Sequence, residues 1–286
     1  MRRIGIIGIE NSHTNHFLRH LNLEDLYPDA RCTTIVRGTP ERVDELTKIS
    51  STLDVVDSAE ALVGAVDAAI ICSRDGALHR GQAEPLLRAG IPVLIDKPLA
   101  TTAVDAQALV ELSKAGGAAL VSASAVRFTP EVAELRTATG ELEAVDVTGP
   151  ADPDSPYSGI FFYGIHTVET AFELIGQPAP EIALDQITVL RRPPVIVVTV
   201  PIAGVAVTLR FVKPDDHGNT PFHAATFGRH SNASSNLTLG PDYNLPLLQK
   251  FMITISGEPG TAAATDLVGP IALTERIREI LATQGS

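Results

Sequence analysis

Short apolar runs alternate with helical segments through the first 122 residues of this chain. Six runs have β character, at residues 3–7, 32–36, 55–56, 68–72, 93–95 and 118–122. Helical patterns fill the intervals between them, for example at residues 14–22 and 102–114. The fifth run is apolar on both faces, as are strands inside a parallel sheet. This alternation predicts a doubly wound parallel sheet.

The pattern changes after residue 122. Long β-type runs follow one another at residues 183–191, 195–200 and 205–212, and shorter ones are expected at residues 142–148, 222–227 and 236–239. Consecutive strands without helices between them indicate a largely antiparallel sheet. We therefore expect an α/β protein of two domains with a cleft between them. Residues 1–122 form a Rossmann-type domain, and residues 123–286 form an α+β domain on an open, largely antiparallel sheet.

The composition limits the class of protein. A net charge of −12 and a pI near 5.1 argue against nucleic acid or an anionic membrane as a partner. No apolar run approaches the length of a membrane span, and no signal-peptide pattern is present, so we expect a cytoplasmic protein. Cys32 and Cys72 lie in predicted buried strands and lack the spacing of a disulfide framework or a metal site.

The turn after the first strand has the position of a phosphate-binding loop. A strand, Gly8, a turn and a helix follow one another as in a dinucleotide-binding unit, but Glu10 and His13 replace the second and third glycines of the usual pattern. A carboxylate about 5 Å from a pyrophosphate costs on the order of 3 kcal/mol unless it turns away. Ser12 suits either a phosphate contact or a helix N-cap. The expected cofactor contacts in this turn are Gly8, Ile9, Asn11 and Ser12.

Arg37 follows the second strand, where a dinucleotide site usually has an acid that binds the ribose 2′-hydroxyl. An arginine there suits a 2′-phosphate, so NADP is slightly preferred over NAD. The alternative is a solvated arginine at a strand end. Ser73, Arg74 and His79, which follow the fourth strand, are further expected cofactor contacts.

The fifth apolar run ends on Asp96, Lys97 and Pro98. Pro98 restricts Lys97 to an extended conformation and prevents the strand from continuing. The ammonium group of Lys97 is therefore expected at the carboxyl end of a parallel strand, which is the edge where open α/β sheets bind ligands. We expect Asp96 and Lys97 to contact the cofactor.

A second candidate site is the sequence Gly-Ile-His-Thr-Val-Glu at residues 164–169. With it and five other features, the chain resembles the Gfo/Idh/MocA family of sugar-type dehydrogenases over nearly its whole length. Those features are Gly-Ile-Ile-Gly at residues 5–8, Leu78-His79, the segment at residues 91–100, Arg-Phe-Thr-Pro at residues 127–130, and a terminal pattern at residues 247–259.

The resemblance implies hydride transfer between NAD(P) and a hydroxylated carbon of a sugar, cyclitol or related small polyol. It implies that His166 is the base and that Lys97 positions the substrate and the nicotinamide ribose. Glu169 lies one helical turn after His166 and is expected to fix the imidazole tautomer. Arg127 and Phe162 are expected substrate contacts beside Lys97 and His166.

Phe162 departs from the family pattern, which commonly has an aspartate four residues before the histidine. One explanation is a less polar substrate whose pocket Phe162 lines. The alternative function is a non-catalytic nucleotide- or ligand-binding protein on the same scaffold.

Two expectations concern a metal and a partner subunit. No resident metal is expected, although His13, His16 and His79 are a weaker candidate set near the first turn. The two helices expected after residue 180 are too few to cover both faces of the second sheet. A homodimer or homotetramer through that C-terminal sheet is therefore expected.

Overall fold

The computed structural model describes residues 1–257 and 266–284, which belong to two compact units. The first unit includes the chain up to Ala123, except for Thr101–Ala103. The sequence predicted a single boundary near residue 122. A single cut does not describe the whole division, however, because the helix Leu245–Ser256 belongs to the first unit.

The first unit contains a six-stranded sheet in which all neighbouring strands are parallel. Its strands are β1 (Arg2–Ile7), β2 (Ala30–Val36), β3 (Asp54–Val56), β4 (Ala68–Ile71), β5 (Val93–Asp96) and β6 (Leu120–Ala123). Their order, β3-β2-β1-β4-β5-β6, confirms the predicted doubly wound sheet. The order reverses between β1 and β4, and ligands of such sheets bind at the carboxyl ends of the strands beside this reversal.

Eight α-helices lie within the described residues. They are α1 (His13–Leu18), α2 (Pro40–Ile49), α3 (His79–Arg88), α4 (Ala103–Gly116), α5 (Pro130–Ala138), α6 (Phe161–Ile175), α7 (Leu245–Ser256) and α8 (Gly269–Gln284). Helix α1 is shorter than predicted because the chain continues from it as a π-helical segment, Arg19–Leu23. Helix α7 packs against α1 and β6, which explains its place in the first unit. Residues 258 and 259 of the predicted terminal pattern lie outside the described residues.

The second unit contains a six-stranded sheet of order β12-β11-β7-β10-β9-β8. Its strands are β7 (Leu142–Pro150), β8 (Thr188–Arg192), β9 (Val195–Ile202), β10 (Val205–Val212), β11 (Phe222–Gly228) and β12 (Asn232–Leu237). Only β7 and β10 pair in parallel, which confirms the predicted largely antiparallel sheet. The strand predicted at residues 183–191 is wrong in its first half, where Leu184–Gln186 forms a 3₁₀ turn.

One face of the second sheet forms the core of its unit. Along β10, Val207, Leu209 and Phe211 are buried and alternate with more exposed residues. They belong to one hydrophobic cluster with residues of α5, α6 and α8. Each fully buried side chain of this size contributes about 1.5–3 kcal/mol relative to an exposed one. This packing fixes α6, the helix that carries His166, on the sheet.

The two cysteines are buried, free thiols, as expected from their strands. Burial raises the pKa of Cys32 to about 12, so its thiolate is absent at neutral pH. Burial also raises the pKa of Cys72 well above its ordinary value. In the described part of the chain, no helix combines the length and apolar character needed to cross a membrane.

Gly8 allows the turn after β1 to lie directly against the end of β4. Its φ is +80°, a left-handed conformation that disfavours a side chain. A Cβ at this position would lie 2.6 Å from the Cα atom of Ser73 and closer still to the Ser73 backbone nitrogen. Glycine is therefore required here both by conformation and by space.

The substitution Gly8→Ala is expected to destabilise the protein by about 2–5 kcal/mol, because backbone strain and overpacking add. Gly64→Ala is the matched control, since Gly64 has a φ of +82° but open space where its Cβ would lie. The control is expected to lose about 1–2 kcal/mol. Urea unfolding of both variants measures the difference, and equal losses would contradict the close approach to Ser73.

Candidate active site

Asn11 holds the first turn to the carboxyl ends of neighbouring strands. Its Nδ2 donates to the carbonyl of Cys72 at 3.0 Å and lies 3.5 Å from Asp96 Oδ2, while its Oδ1 accepts from the backbone nitrogen of His13 at 3.1 Å. The side chain is buried. Its amide is thus committed to the protein, and the expected donation from Asn11 to a phosphate does not fit this arrangement. Ser12 is exposed and makes no side-chain cap, so it stays a candidate phosphate contact.

Two arginines bind the backbone carbonyls of the same turn. Arg42 donates to the carbonyl of Ile9 at 2.5 Å and to that of Asn11 at 3.3 Å. Arg74 donates to the carbonyl of Glu10 at 2.8 Å. Three consecutive carbonyl groups therefore have guanidinium donors, and Arg42 is itself paired with Glu45 at 2.6 Å. This arrangement suits an anionic pyrophosphate although two glycines of the usual pattern are absent. Arg74 was expected to contact the cofactor, whereas nothing in the local sequence identified Arg42 as part of this turn.

The carboxylate of Glu10 turns away from the loop toward the end of β2. Its Oε1 accepts a hydrogen bond from the backbone nitrogen of Thr39 at 2.7 Å. A Cβ on Gly38 would strike the same oxygen, so the glycine leaves the space that the carboxylate occupies. The repulsion expected between Glu10 and a pyrophosphate is reduced by this orientation.

Arg37 lies at the end of β2, as expected, but it has a carboxylate partner. Its Nε is 2.7 Å from Asp57 Oδ1, and both side chains are exposed. Asp57 follows β3, so the ion pair connects two neighbouring strand ends. The preference for NADP rested on Arg37 alone and stays a prediction.

Asp96 and Lys97 are buried at the carboxyl end of β5, as the sequence predicted. Asp96 Oδ2 lies 2.8 Å from His13 Nδ1, which joins the start of α1 to β5. The side chain of Lys97 is only 7% exposed. Lys97, which directly follows Asp96 in the sequence, is therefore not a solvated lysine in a turn.

His79 connects the segments that follow β4 and β5. Its Nδ1 is 2.7 Å from the carbonyl oxygen of Pro98, and its Nε2 is 2.9 Å from that of Ser73. Burial lowers the pKa of His79, an effect that the two carbonyl oxygens offset only in part. Ser73 and His79, both expected to contact a cofactor, thus shape the segment after β4 through this contact.

The weaker proposal of a metal bound by His13, His16 and His79 is not supported. Both ring nitrogens of His79 face carbonyl oxygens, so neither presents a lone pair to an ion. Within residues 1–257 and 266–284, no group of three His, Cys, Asp or Glu side chains is placed to hold a metal.

His166 lies on α6 in the second unit, and Ser124 holds its ring. The helix begins at Phe161, so His166 is in its second turn. The ring is 6% exposed, and its Nδ1 is 2.6 Å from Ser124 Oγ. Ser124 Oγ also accepts from the backbone nitrogen of Val126 at 3.2 Å, as the cap of a 3₁₀ turn. Ser124 was missed by sequence reasoning because a capping serine has no feature that indicates its distant partner.

Glu169 reaches the imidazole through Ser124 and not directly. Its Oε2 accepts from the backbone nitrogen of Ser124 at 2.7 Å and from Arg127 Nη1 at 3.3 Å. Arg127 also binds Glu173 Oε2 at 2.9 Å, and its side chain is 9% exposed. The expected substrate contact of Arg127 is therefore replaced, in this structure, by two carboxylate contacts. The expected direct contact between Glu169 and the His166 ring is wrong.

Aromatic rings surround His166. Phe222 lies edge-on to the imidazole at 5.5 Å between centroids, and Tyr163 lies at 6.1 Å. Phe162 is half-buried and lies 4.9 Å from the rings of both Tyr157 and Tyr163. The side chain that departs from the family pattern thus belongs to an apolar cluster that extends to the candidate base.

Residues 2–124 match the family GFO_IDH_MocA, an oxidoreductase family with an NAD-binding Rossmann fold. Over 126 residues the chain is 32% identical to inositol 2-dehydrogenase from Cereibacter sphaeroides, a match that covers 44% of this chain and 36% of that protein. The chain therefore matches little more than a third of this relative's length.

Two solved structures resemble the chain over nearly its whole length. GenD2 from gentamicin A biosynthesis, in complex with NAD, has a TM-score of 0.81 at 16% identity and covers 100% of this chain and 95% of its own. A putative myo-inositol dehydrogenase from Sinorhizobium meliloti has a TM-score of 0.78 at 18% identity, with 99% and 98% covered. These likenesses show a shared fold. Residues 2–124 are thus similar in sequence to an oxidoreductase family with an NAD-binding Rossmann fold.

Proposed function

We propose that the protein is a dehydrogenase that transfers a hydride between NAD(P) and a hydroxylated carbon of a sugar, cyclitol or related small polyol. The observation that carries this proposal is the buried imidazole of His166, held at Nδ1 by Ser124 on a helix packed into the core. The family of the first unit supports the redox chemistry. The inositol 2-dehydrogenase relative supports the substrate class.

The residues of the first turn fit a bound dinucleotide. Gly8 lets the turn lie directly against Ser73, Arg42 and Arg74 donate to the carbonyls of the turn, and Glu10 turns away from it. Ser12 is exposed at the start of α1 and available to a phosphate oxygen. When bound, the nicotinamide supplies a hydride acceptor for the carbon that carries the substrate hydroxyl.

His166 would take the proton of that hydroxyl at Nε2. This role requires the tautomer with hydrogen on Nδ1, which then donates to Ser124 Oγ. Ser124 Oγ has two lone pairs and accepts from both Val126 and His166 in this arrangement. The contact also stabilises the imidazolium that forms when the proton arrives. Glu169 holds the backbone of Ser124 and thereby the position of the acceptor.

Lys97 would stabilise the negative charge that develops on the substrate oxygen as its proton leaves. A buried ammonium group is effective in this role because charge interactions strengthen as water is excluded.

Phe162 supports a substrate with a less polar face than a fully hydroxylated sugar offers. An aspartate at this position would accept hydrogen bonds from hydroxyl groups, whereas the phenyl ring excludes water from that side. The half-buried rings of Tyr157 and Tyr163 extend the same surface.

The substitutions Lys97→Ala and His166→Ala are each expected to lower kcat/KM by about 10²- to 10⁴-fold, the range typical of a lost acid-base or oxyanion-stabilising group. Reduction of NAD or NADP, followed by absorbance over a panel of cyclitols, deoxy sugars and polyols, measures the effect. Lys114→Ala and His223→Ala are controls of the same residue types that should retain activity. Dinucleotide binding without turnover of any panel member would favour the non-catalytic alternative.

Ser124→Ala is expected to lower kcat by about 10-fold or more, because the imidazole loses the group that orients it. The imidazolium that forms on proton transfer also loses an acceptor, so kcat should fall while KM changes little. Ser124→Thr keeps a hydroxyl and should restore kcat. A lower melting temperature with an unchanged kcat would leave Ser124 with a structural role only.

The open face of the second sheet supports self-association. Leu190 on β8 is paired in register with Val197 on β9, which pairs with Arg210 on β10. Leu190 is 48% exposed, and Arg210 is bound to Asp146 at 3.0 Å. We propose that a second copy covers this face in a homodimer or homotetramer.

The double substitution Leu190→Glu with Val197→Glu should convert the oligomer to a monomer, because like charges would face one another across the symmetric contact. Light scattering at micromolar concentration measures the mass. Val104→Glu, at an exposed position on α4, is the control. A wild-type chain that is already monomeric would refute the proposal.

A further inference from the structure

The position of the Glu10 carboxylate has a consequence for the choice of cofactor. In dinucleotide-binding sheets, an acid at the end of the second strand binds the hydroxyls of the adenosine ribose. Here that strand ends with Val36, and Arg37 and Gly38 follow it. The segment directly after β2 therefore has no acidic residue to bind the ribose.

Glu10 brings a carboxylate to the same place from the first turn. Its Oε1 is fixed by the backbone nitrogen of Thr39 at 2.7 Å and lies where a side chain on residue 38 would begin. The residue is exposed, and its Oε2 has no partner in the part of the chain that the structure describes. One oxygen is thus held by the protein while the other is available to a ligand hydroxyl.

The charges around this strand end are unfavourable for an additional phosphate. Arg37 is neutralised by Asp57 at 2.7 Å, and Arg42 is directed to the carbonyls of the first turn. Glu10 therefore leaves an excess negative charge beside the end of β2. A 2′-phosphate here would meet a carboxylate, whereas a 2′-hydroxyl would find an acceptor.

We propose that Glu10 is the residue that selects NAD over NADP, by accepting a hydrogen bond from the adenosine ribose at the end of β2. The inference rests on the proposed function only in requiring a dinucleotide at the first turn. It reverses the preference that Arg37 suggested from the sequence. Glu10, which replaces the second glycine of the phosphate-binding pattern, thereby supplies the ribose-binding acid that the end of β2 lacks.

The test is calorimetric titration of the full-length protein with NAD and with NADP, without any substrate. The wild type should bind NAD at least about tenfold more tightly, because the 2′-phosphate of NADP would meet the Glu10 carboxylate. Glu10→Gln keeps an acceptor for the Thr39 nitrogen but removes the charge. It should weaken NAD binding, strengthen NADP binding and leave the melting temperature unchanged.

Two further variants separate the carboxylate from its surroundings. Gly38→Ala should displace the Glu10 carboxylate without removing its charge, and should weaken NAD binding. Glu41→Gln removes a nearby charge on the first turn of α2 and should leave the NAD to NADP ratio within about twofold of the wild type, since exposed charges beyond the contact are screened.

The outcomes distinguish this inference from the proposed function. If both dinucleotides bind and Glu10→Gln does not change their ratio, the role of Glu10 is refuted while the dehydrogenase proposal stands. Selective loss of NADP affinity in Arg37→Ala, with wild-type preference for NADP, would also refute it and restore Arg37 as the determinant. If neither dinucleotide binds to the wild type, both proposals fail together.

Discussion

Buried polar groups at the carboxyl ends of β1, β4 and β5 must satisfy one another, and the candidate cofactor site depends on how they do so. Asp96 binds His13 from the start of α1, and Asn11 joins the same carboxylate to the carbonyl of Cys72, directly after β4. His79 joins the segments after β4 and β5. Because the strands are parallel, all these groups meet at one edge of the sheet. The edge is thus organised by the protein before a ligand binds.

The second unit uses the same principle around a charged group. Arg127 is nearly buried and has carboxylates from Glu169 and Glu173 as partners. Buried charges are costly unless they are paired, and removal of one partner typically costs about 3–5 kcal/mol. Such a network adds little net stability compared with apolar packing. Its value here is positional, since Glu169 fixes the backbone of Ser124, and Ser124 fixes the His166 ring.

The first turn shows how a departure from a familiar pattern is accommodated. Glycines in that pattern allow the backbone to approach a pyrophosphate without obstruction. This chain keeps only Gly8, where the neighbouring strand leaves no space for a side chain. At the second position the Glu10 side chain swings away to Thr39, and Arg42 and Arg74 hold the carbonyls of the turn. Side-chain contacts therefore maintain a geometry for which the motif would use glycine.

The sequence by itself determined the architecture and several site positions, because these depend on local patterns. Alternating apolar runs and helices fixed the parallel sheet, and the Asp96-Lys97-Pro98 ending placed Lys97 at its carboxyl edge. Local patterns predict less well where the β propensity of a segment disagrees with its actual strand pairing. Residues 183–191 are rich in β-forming side chains, yet part of that run is a 3₁₀ turn, since only Thr188–Arg192 pairs with β9.

Only the tertiary structure decided which side chains are partners. Glu10 meets a backbone group 29 residues away, and Ser124 meets an imidazole 42 residues away. Neither contact has a local periodicity, and each depends on how strands and helices are arranged in three dimensions. For this reason the sequence assigned Glu169 to the imidazole and Asn11 to a phosphate, whereas the fold gave those side chains other partners. Residue types and strand ends are encoded locally, but the direction of a side chain is set by packing.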